Sequence, residues 1–153
     1  DSALPKQVVV ENRIYEYTKG DNDSYQKLRV YTLSDDGTYY IVSGIDTCTD
    51  TQIVIPYTYN EKPVKAIGGY AFRGCTSLSS VTIHDSVTSI GEYAFYYCYD
   101  LNYVYIGSGV EYIGYDNFNG CESLLNINVD ANNNNFSSKN GALFNKDITK
   151  IYI

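Results

Sequence analysis

Apolar positions along this chain recur at a fixed distance. Ile67, Ile90 and Ile113 stand 23 residues apart, and each precedes a glycine, at 68, 91 and 114. Phe72, Phe95 and Phe118 keep the same spacing, as do Leu78, Leu101 and Leu124. Val81, Val104 and Ile127 continue the register, with Ile83, Ile106 and Val129 two residues further on. A period in this range marks a solenoid, because a single unit can bury its apolar face only against its neighbours. Within a unit the V-x-I piece alternates. It predicts a short strand with Val81 and Ile83 inward and Ser80, Thr82 and His84 outward. From Ile90 to Leu101 apolar residues fall at 90, 94, 95, 98 and 101, a spacing that fits a helical or 3₁₀ turn packed on the strand layer. The expected fold class is an α/β solenoid, with short parallel strands on one face and short helical turns on the other.

The flanks extend the register. Ile53 and Ile55 precede Val81 and Ile83 by 28, which is 23 plus a five-residue insertion near Tyr57–Glu61. Ile151 and Ile153 follow Ile127 and Val129 by 24. Five parallel strands are thus predicted, at 53–55, 81–83, 104–106, 127–129 and 151–153, stacked ~4.8 Å apart. Before residue 45 the register is lost. There Val8–Val10, Ile14–Tyr17, Leu28–Leu33 and Tyr39–Val42 read as strands, with a hairpin turn at Asp35-Asp36-Gly37. Residues 1–44 are read as an N-terminal β cap and 45–153 as the solenoid, in one compact domain. Residues 130–140, rich in Asn and Ser, read as a loop, and 141–153 as a final hairpin or coil. At the far end Thr149, Ile151 and Ile153 share the inward phase. An uncovered strand there invites pairing with another chain, so weak self-association is expected through this edge unless the 130–140 loop masks it. The natural chain is expected to continue past 153.

The unit Ala94-Phe95-x-x-Cys98-x-x-Leu101-x-x-Val104-x-Ile106, followed by Val110-x-x-Ile113-Gly114, resembles the BspA-type leucine-rich repeat of bacterial cell-surface proteins. The segments Asp36–Gly44 and Asn140–Asp147 are similar to that family as well, so the resemblance covers about residues 31–153. It implies a right-handed leucine-rich-repeat coil in an extracellular or surface-attached, non-enzymatic protein of adhesion or macromolecular binding. Asn117 departs from the pattern, standing where the other units carry Ala71 and Ala94, which predicts a looser third coil.

Composition narrows the function. Hydrophobic residues at 44% and charged residues at 19% exclude a disordered tail. The net charge of -7 argues against nucleic acid and anionic membrane surfaces as partners. No apolar run approaches the roughly 20 residues of a membrane span, so no direct membrane insertion is expected. A single histidine, His84, leaves no multi-histidine metal site, and no nucleophile motif accompanies it. Asp21-Asn22-Asp23 begins like a calcium loop but lacks the Gly and distal Glu, and reads as a turn. No catalytic residue, metal or cofactor is expected. The chain begins Asp-Ser-Ala-Leu-Pro without a methionine, as a trimmed or mature product would.

Cys75, Cys98 and Cys121 share the 23-residue spacing. Equivalent side chains on stacked coils project in parallel into the core, which predicts free, buried, structural thiols rather than disulfides. Zinc is not expected, since ligands along a ladder cannot converge tetrahedrally. The outward strand positions form the candidate binding face of the solenoid. Its ligand residues are Thr82, His84, Tyr103, Tyr105, Asn126 and Asn128: rings that stack, flanked by groups that hydrogen-bond. Such a face suits a protein or a glycan ligand, and a structural spacer without a ligand is the third possibility. A second tyrosine group, Tyr93, Tyr96, Tyr97, Tyr99, Tyr112 and Tyr115, falls on or near the turn side.

Overall fold

The computed structural model of the chain describes residues 6–19, 25–44, 48 and 51–152. They contain fourteen strands. β1 (Lys6–Val10), β2 (Arg13–Lys19), β3 (Tyr25–Leu33) and β4 (Tyr40–Gly44) run antiparallel in succession, as the N-terminal pattern predicts. Beyond them lie β5 (Gln52–Ile55), β6 (Thr58–Tyr59), β7 (Lys62–Ile67), β8 (Ser80–Ile83) and β9 (Ser89–Ile90). The chain closes with β10 (Tyr103–Ile106), β11 (Tyr112–Ile113), β12 (Asn126–Val129), β13 (Phe136–Lys139) and β14 (Ala142–Asn145).

Two parallel ladders run along the solenoid. The first, in the order β12-β10-β8-β5, is the predicted one, with Val104 opposite both Val81 and Ile127. The second is built from the very short strands β9 and β11 stacked on β7. Because β4 pairs in parallel with β7, this ladder continues into the N-terminal strands as one sheet, β1-β2-β3-β4-β7-β9-β11. Tyr31, Tyr40 and Tyr59 pack together where the N-terminal strands meet the first coil, with Tyr31 stacked on Tyr59 at 3.7 Å. Tyr59 comes from the five-residue insertion, whose β6 folds back on β7.

The third side of each coil is not helical. No helix occurs among the described residues, which corrects the α/β class and its short helical turns to an all-β solenoid. The reason lies in where the amides point. In the segment after Gly69, Arg73 and Cys75 bond back to the carbonyls of Tyr70 and Phe72, one turn at a time. The alternate amides, of Tyr70, Phe72 and Gly74, instead reach across to Glu92, Ala94 and Tyr96 of the next coil. Tyr70 and Gly74 also take left-handed φ values of 60° and 71°, four residues apart, which stops any helix from propagating.

The core consists of the inward rows. Phe72, Phe95 and Phe118 form one stack, with ring centroids 5.3 and 5.8 Å apart. Leu78 and Leu101 are fully buried beside it, whereas Leu124, in the last coil, is only partly covered. At the corners, a Cβ on Gly91 would strike the Gly68–Gly69 backbone, and one on Gly114 would strike Gly91–Glu92. The coils therefore stack at full contact only because these corners are bare. Asn117, where a looser coil is expected, is tied into the backbone through its amide nitrogen, while its Oδ1 is buried without a hydrogen-bond partner among the described residues. Its side chain is buried, and its amide donates to the carbonyls of Gly91 (2.8 Å) and Gly114 (3.1 Å).

The C-terminal end departs from the register. The parallel ladder has four strands, not five, because residues 136–139, expected in a loop, form β13 and pair with β14 as an antiparallel hairpin. Asn133 starts this change of direction. Fully buried, it donates to the carbonyls of Gly107 and Val110 and accepts the amides of Asn135 and Phe136. The hairpin covers β12, with the Ile127 amide donating to the Gly141 carbonyl and the Val129 amide to Ser138 Oγ. Ile151 makes only an isolated antiparallel bridge to Phe144 and is exposed, while Tyr152 packs on Phe136, so the expected phase is inverted. Ile153 lies outside the described residues. Among the described residues no strand follows β14, so the self-association expected through a strand at 151–153 finds none at 151–152, and the C-terminal edge of the larger sheet is β11.

The cysteine ladder also needs correction. Cys75 is not free: it forms a disulfide with Cys48 across 5.3 Å between Cα atoms. Cys48 precedes Cys75 by 27 residues and so stands outside the 23-residue spacing. It approaches from the segment leading into β5, and the parallel projection of stacked equivalents does not apply to it. Cys98 and Cys121 are free, the first buried and the second partly covered. Their sulfurs donate to the carbonyls of Phe72 and Phe95, each at 3.1 Å. The hydrogen bond to Cys121, reinforced by burial, holds the Cys98 thiol well above the usual range.

Candidate binding face

The four-stranded parallel sheet fixes its outward side chains by register. Gln52, Ser80, Tyr103 and Asn126 form one cross-strand row, and Val54, Thr82, Tyr105 and Asn128 the next. Alternation along each strand sends Ile53, Val81, Val104 and Ile127 inward, so these rows face out. Five of the expected ligand residues lie in them: Thr82, Tyr103 and Tyr105 half-buried, Asn126 and Asn128 exposed. His84, just past β8, is half-buried with its ring stacked on Tyr57 at 4.2 Å.

Polar contacts organise the rim of this face. Tyr105 donates its hydroxyl to Asp130 Oδ2 at 2.7 Å, and this bond pushes the phenol pKa up to about 12. Asp130 is held below the usual carboxylate range by the Asn132 amide and then by Tyr105. Across the neighbouring corner Asp85 Oδ1 accepts the Ser108 amide at 2.8 Å. The arrangement offers rings, amides, a hydroxyl and an imidazole on the outward side of one sheet, the groups that stack and hydrogen-bond. Asp130 continues the outward alternation of Asn126 and Asn128, whereas Tyr57 is a member that the pattern of the repeat does not reveal. Tyr57 had one available signal, its place in an insertion, since repeat insertions gather on one face of a solenoid.

Residues 46–153 match the family model of the BspA type leucine rich repeat region, in six copies. The chain belongs to this family. Among solved structures, this BspA-type protein is similar to the leucine-rich repeat protein of T. pallidum, with 31% identity and a TM-score of 0.61 over 63% of this chain and 45% of that one. It is also similar to a leucine-rich repeat protein from Bacteroides ovatus, with 31% identity and a TM-score of 0.58 over 65% of this chain and 27% of that one. The chain thus spans less than half the length of both. A leucine-rich repeat protein from Bacteroides capillosus, 23% identical with a TM-score of 0.51, shares the fold over 82% of this chain and 99% of its own. No curated protein sequence matches the chain significantly.

Proposed function

We propose that this BspA-type repeat protein is a non-enzymatic binding module of an extracellular or cell-surface protein, and that it recognises a protein or host-matrix ligand through its strand face. The observation that carries the reading is the pair of outward rows: Thr82, Tyr105 and Asn128 in one, Tyr103 and Asn126 in the other, none of them buried in the core. Tyrosine flanked by amides supplies large contact area at low entropic cost. The Cys48–Cys75 disulfide suits an oxidising, extracellular setting. Residues 1–44 serve in this reading as the cap that closes the first coil.

The test is a Tyr103→Ala, Tyr105→Ala double variant, assayed against a panel of immobilised extracellular-matrix proteins and a glycan array. Capture of a matrix protein by the parent protein, weakened about tenfold or more in the variant at nearly unchanged thermal stability, supports the reading. Binding confined to glycans would replace it with carbohydrate recognition on the same face. Blanks on both panels would leave a spacer, and unfolding of the variant would make the pair structural packing.

A further inference from the structure

The turn side of the solenoid carries a second surface, made of tyrosine. Tyr70 stacks on Tyr93 at 4.9 Å, and Tyr93 meets Tyr96 and Tyr115 edge-on, both at 5.2 Å. Tyr96 continues to Tyr97 at 4.0 Å, and Tyr97 to Tyr99 at 5.6 Å. Six rings from three successive coils therefore make one connected surface. Four of them, Tyr70, Tyr97, Tyr99 and Tyr115, are exposed.

The backbone at Tyr97 marks this surface as more than filling. Positions 74, 97 and 120 are equivalent in the repeat, and all three are left-handed, with φ of 71°, 59° and 82°. Glycine at 74 and 120 adopts that conformation freely, whereas tyrosine is strained in it. A Cβ on Gly120 would also run into the Tyr97 ring. A strained residue and a bare neighbour thus combine to hold one exposed ring against the next coil.

Charge indicates what the rings receive. From residue 67 to 129 the chain carries Asp85, Glu92, Asp100, Glu111, Asp116 and Glu122 against Arg73 alone. One of these carboxylates touches a turn-side tyrosine directly: Glu92 accepts the Tyr112 hydroxyl at 2.9 Å. The Arg73 guanidinium lies over the rings of Tyr70 and Tyr96, at 5.6 and 5.7 Å from their centroids. Ring faces attract cations in this geometry. Among the described residues no cation lies over Tyr97, Tyr99 or Tyr115.

We infer that the tyrosine surface of the turn side docks a basic peptide segment of a partner protein, whose Arg or Lys side chains lie over Tyr97, Tyr99 and Tyr115 as Arg73 lies over Tyr70 and Tyr96. The site is separate from the strand face and stands whether or not that face binds.

The chain has no tryptophan, so contacts at its tyrosines register in its intrinsic fluorescence, and the variants below locate them. The protein is titrated with a synthetic Arg-Gly repeat peptide, and with the same peptide carrying uncharged citrulline in place of arginine. Saturable quenching by the arginine peptide only is expected. Tyr97→Gly installs the residue found at 74 and 120, so the thermal midpoint should not fall, while affinity drops about fivefold or more, the worth of one cation–π contact. Tyr103→Ala on the strand face should leave peptide affinity unchanged. Absence of saturable binding, equal binding of the citrulline peptide, or unchanged affinity in Tyr97→Gly would each overturn the inference. If Tyr97→Gly proves unstable, Tyr115→Ala, at a side chain 64% exposed, is judged by the same criterion.

Discussion

Phe95 is held between two other rings and is wholly buried, in a coil whose backbone is hydrogen-bonded to coils on both sides. Those ladders fix the coil spacing, so the neighbours cannot close a hole left in the stack. Phe95→Ala is therefore expected to cost ~3–5 kcal/mol in denaturant unfolding, the range for a large aromatic removed from a rigid core. Leu125→Ala, at a residue 75% exposed, should change stability by no more than ~0.5 kcal/mol. If the two variants unfolded alike, the stack would not be the core. Asn117 shows the limit of reasoning one residue at a time. Its polarity among alanines suggests looseness, yet its partners are backbone carbonyls, one of them in another coil. Nothing in the residue types announces such partners.

The disulfide acts between elements, tying the segment before β5 to the coil before β8. With its cysteines 27 positions apart, loop-closure entropy puts its contribution at about 3.5 kcal/mol. A Cys48→Ala, Cys75→Ala variant should lose roughly that much by thermal or urea unfolding. Intact mass should show two hydrogens missing, and alkylation after denaturation should find two thiols; four thiols would contradict the pairing. The elements differ in how legible they are. The strands β5, β8, β10 and β12 could be read because two periods coincide, alternation within 23 residues, and the same alternation placed five of the six candidate face residues outward. β9 and β11 span two residues each, too few to alternate. The third side looked helical because consecutive turns space apolar residues much as a helix does; what separates them is the bonding of alternate amides to the next coil. The hairpin at β13–β14 was hidden because the 24-residue offset of Ile151 mimics one more repeat, whereas Asn133 has already turned the chain. The stacking of Tyr57 on His84 joins an insertion to a strand end, and no periodicity encodes it.

For the whole molecule, both parallel ladders run along one axis, and the main-chain hydrogen bonds between coils run with it. Tension applied between the N-terminal strands and the terminal hairpin would pull these bonds apart coil by coil, since each coil is bonded only to its neighbours. Each released coil of 23 residues would lengthen the chain by about 80 Å. The Cys48–Cys75 bond withholds its 27 residues, about 90 Å of contour, until it is reduced. In a single-molecule pulling experiment the oxidised protein should fall short of the reduced one by roughly that length, and equal lengths would show that the bond does not lie in the load path. A protein built this way would yield under load in steps and still keep its first coil attached, behaving as an extensible tether with a covalent stop at one end.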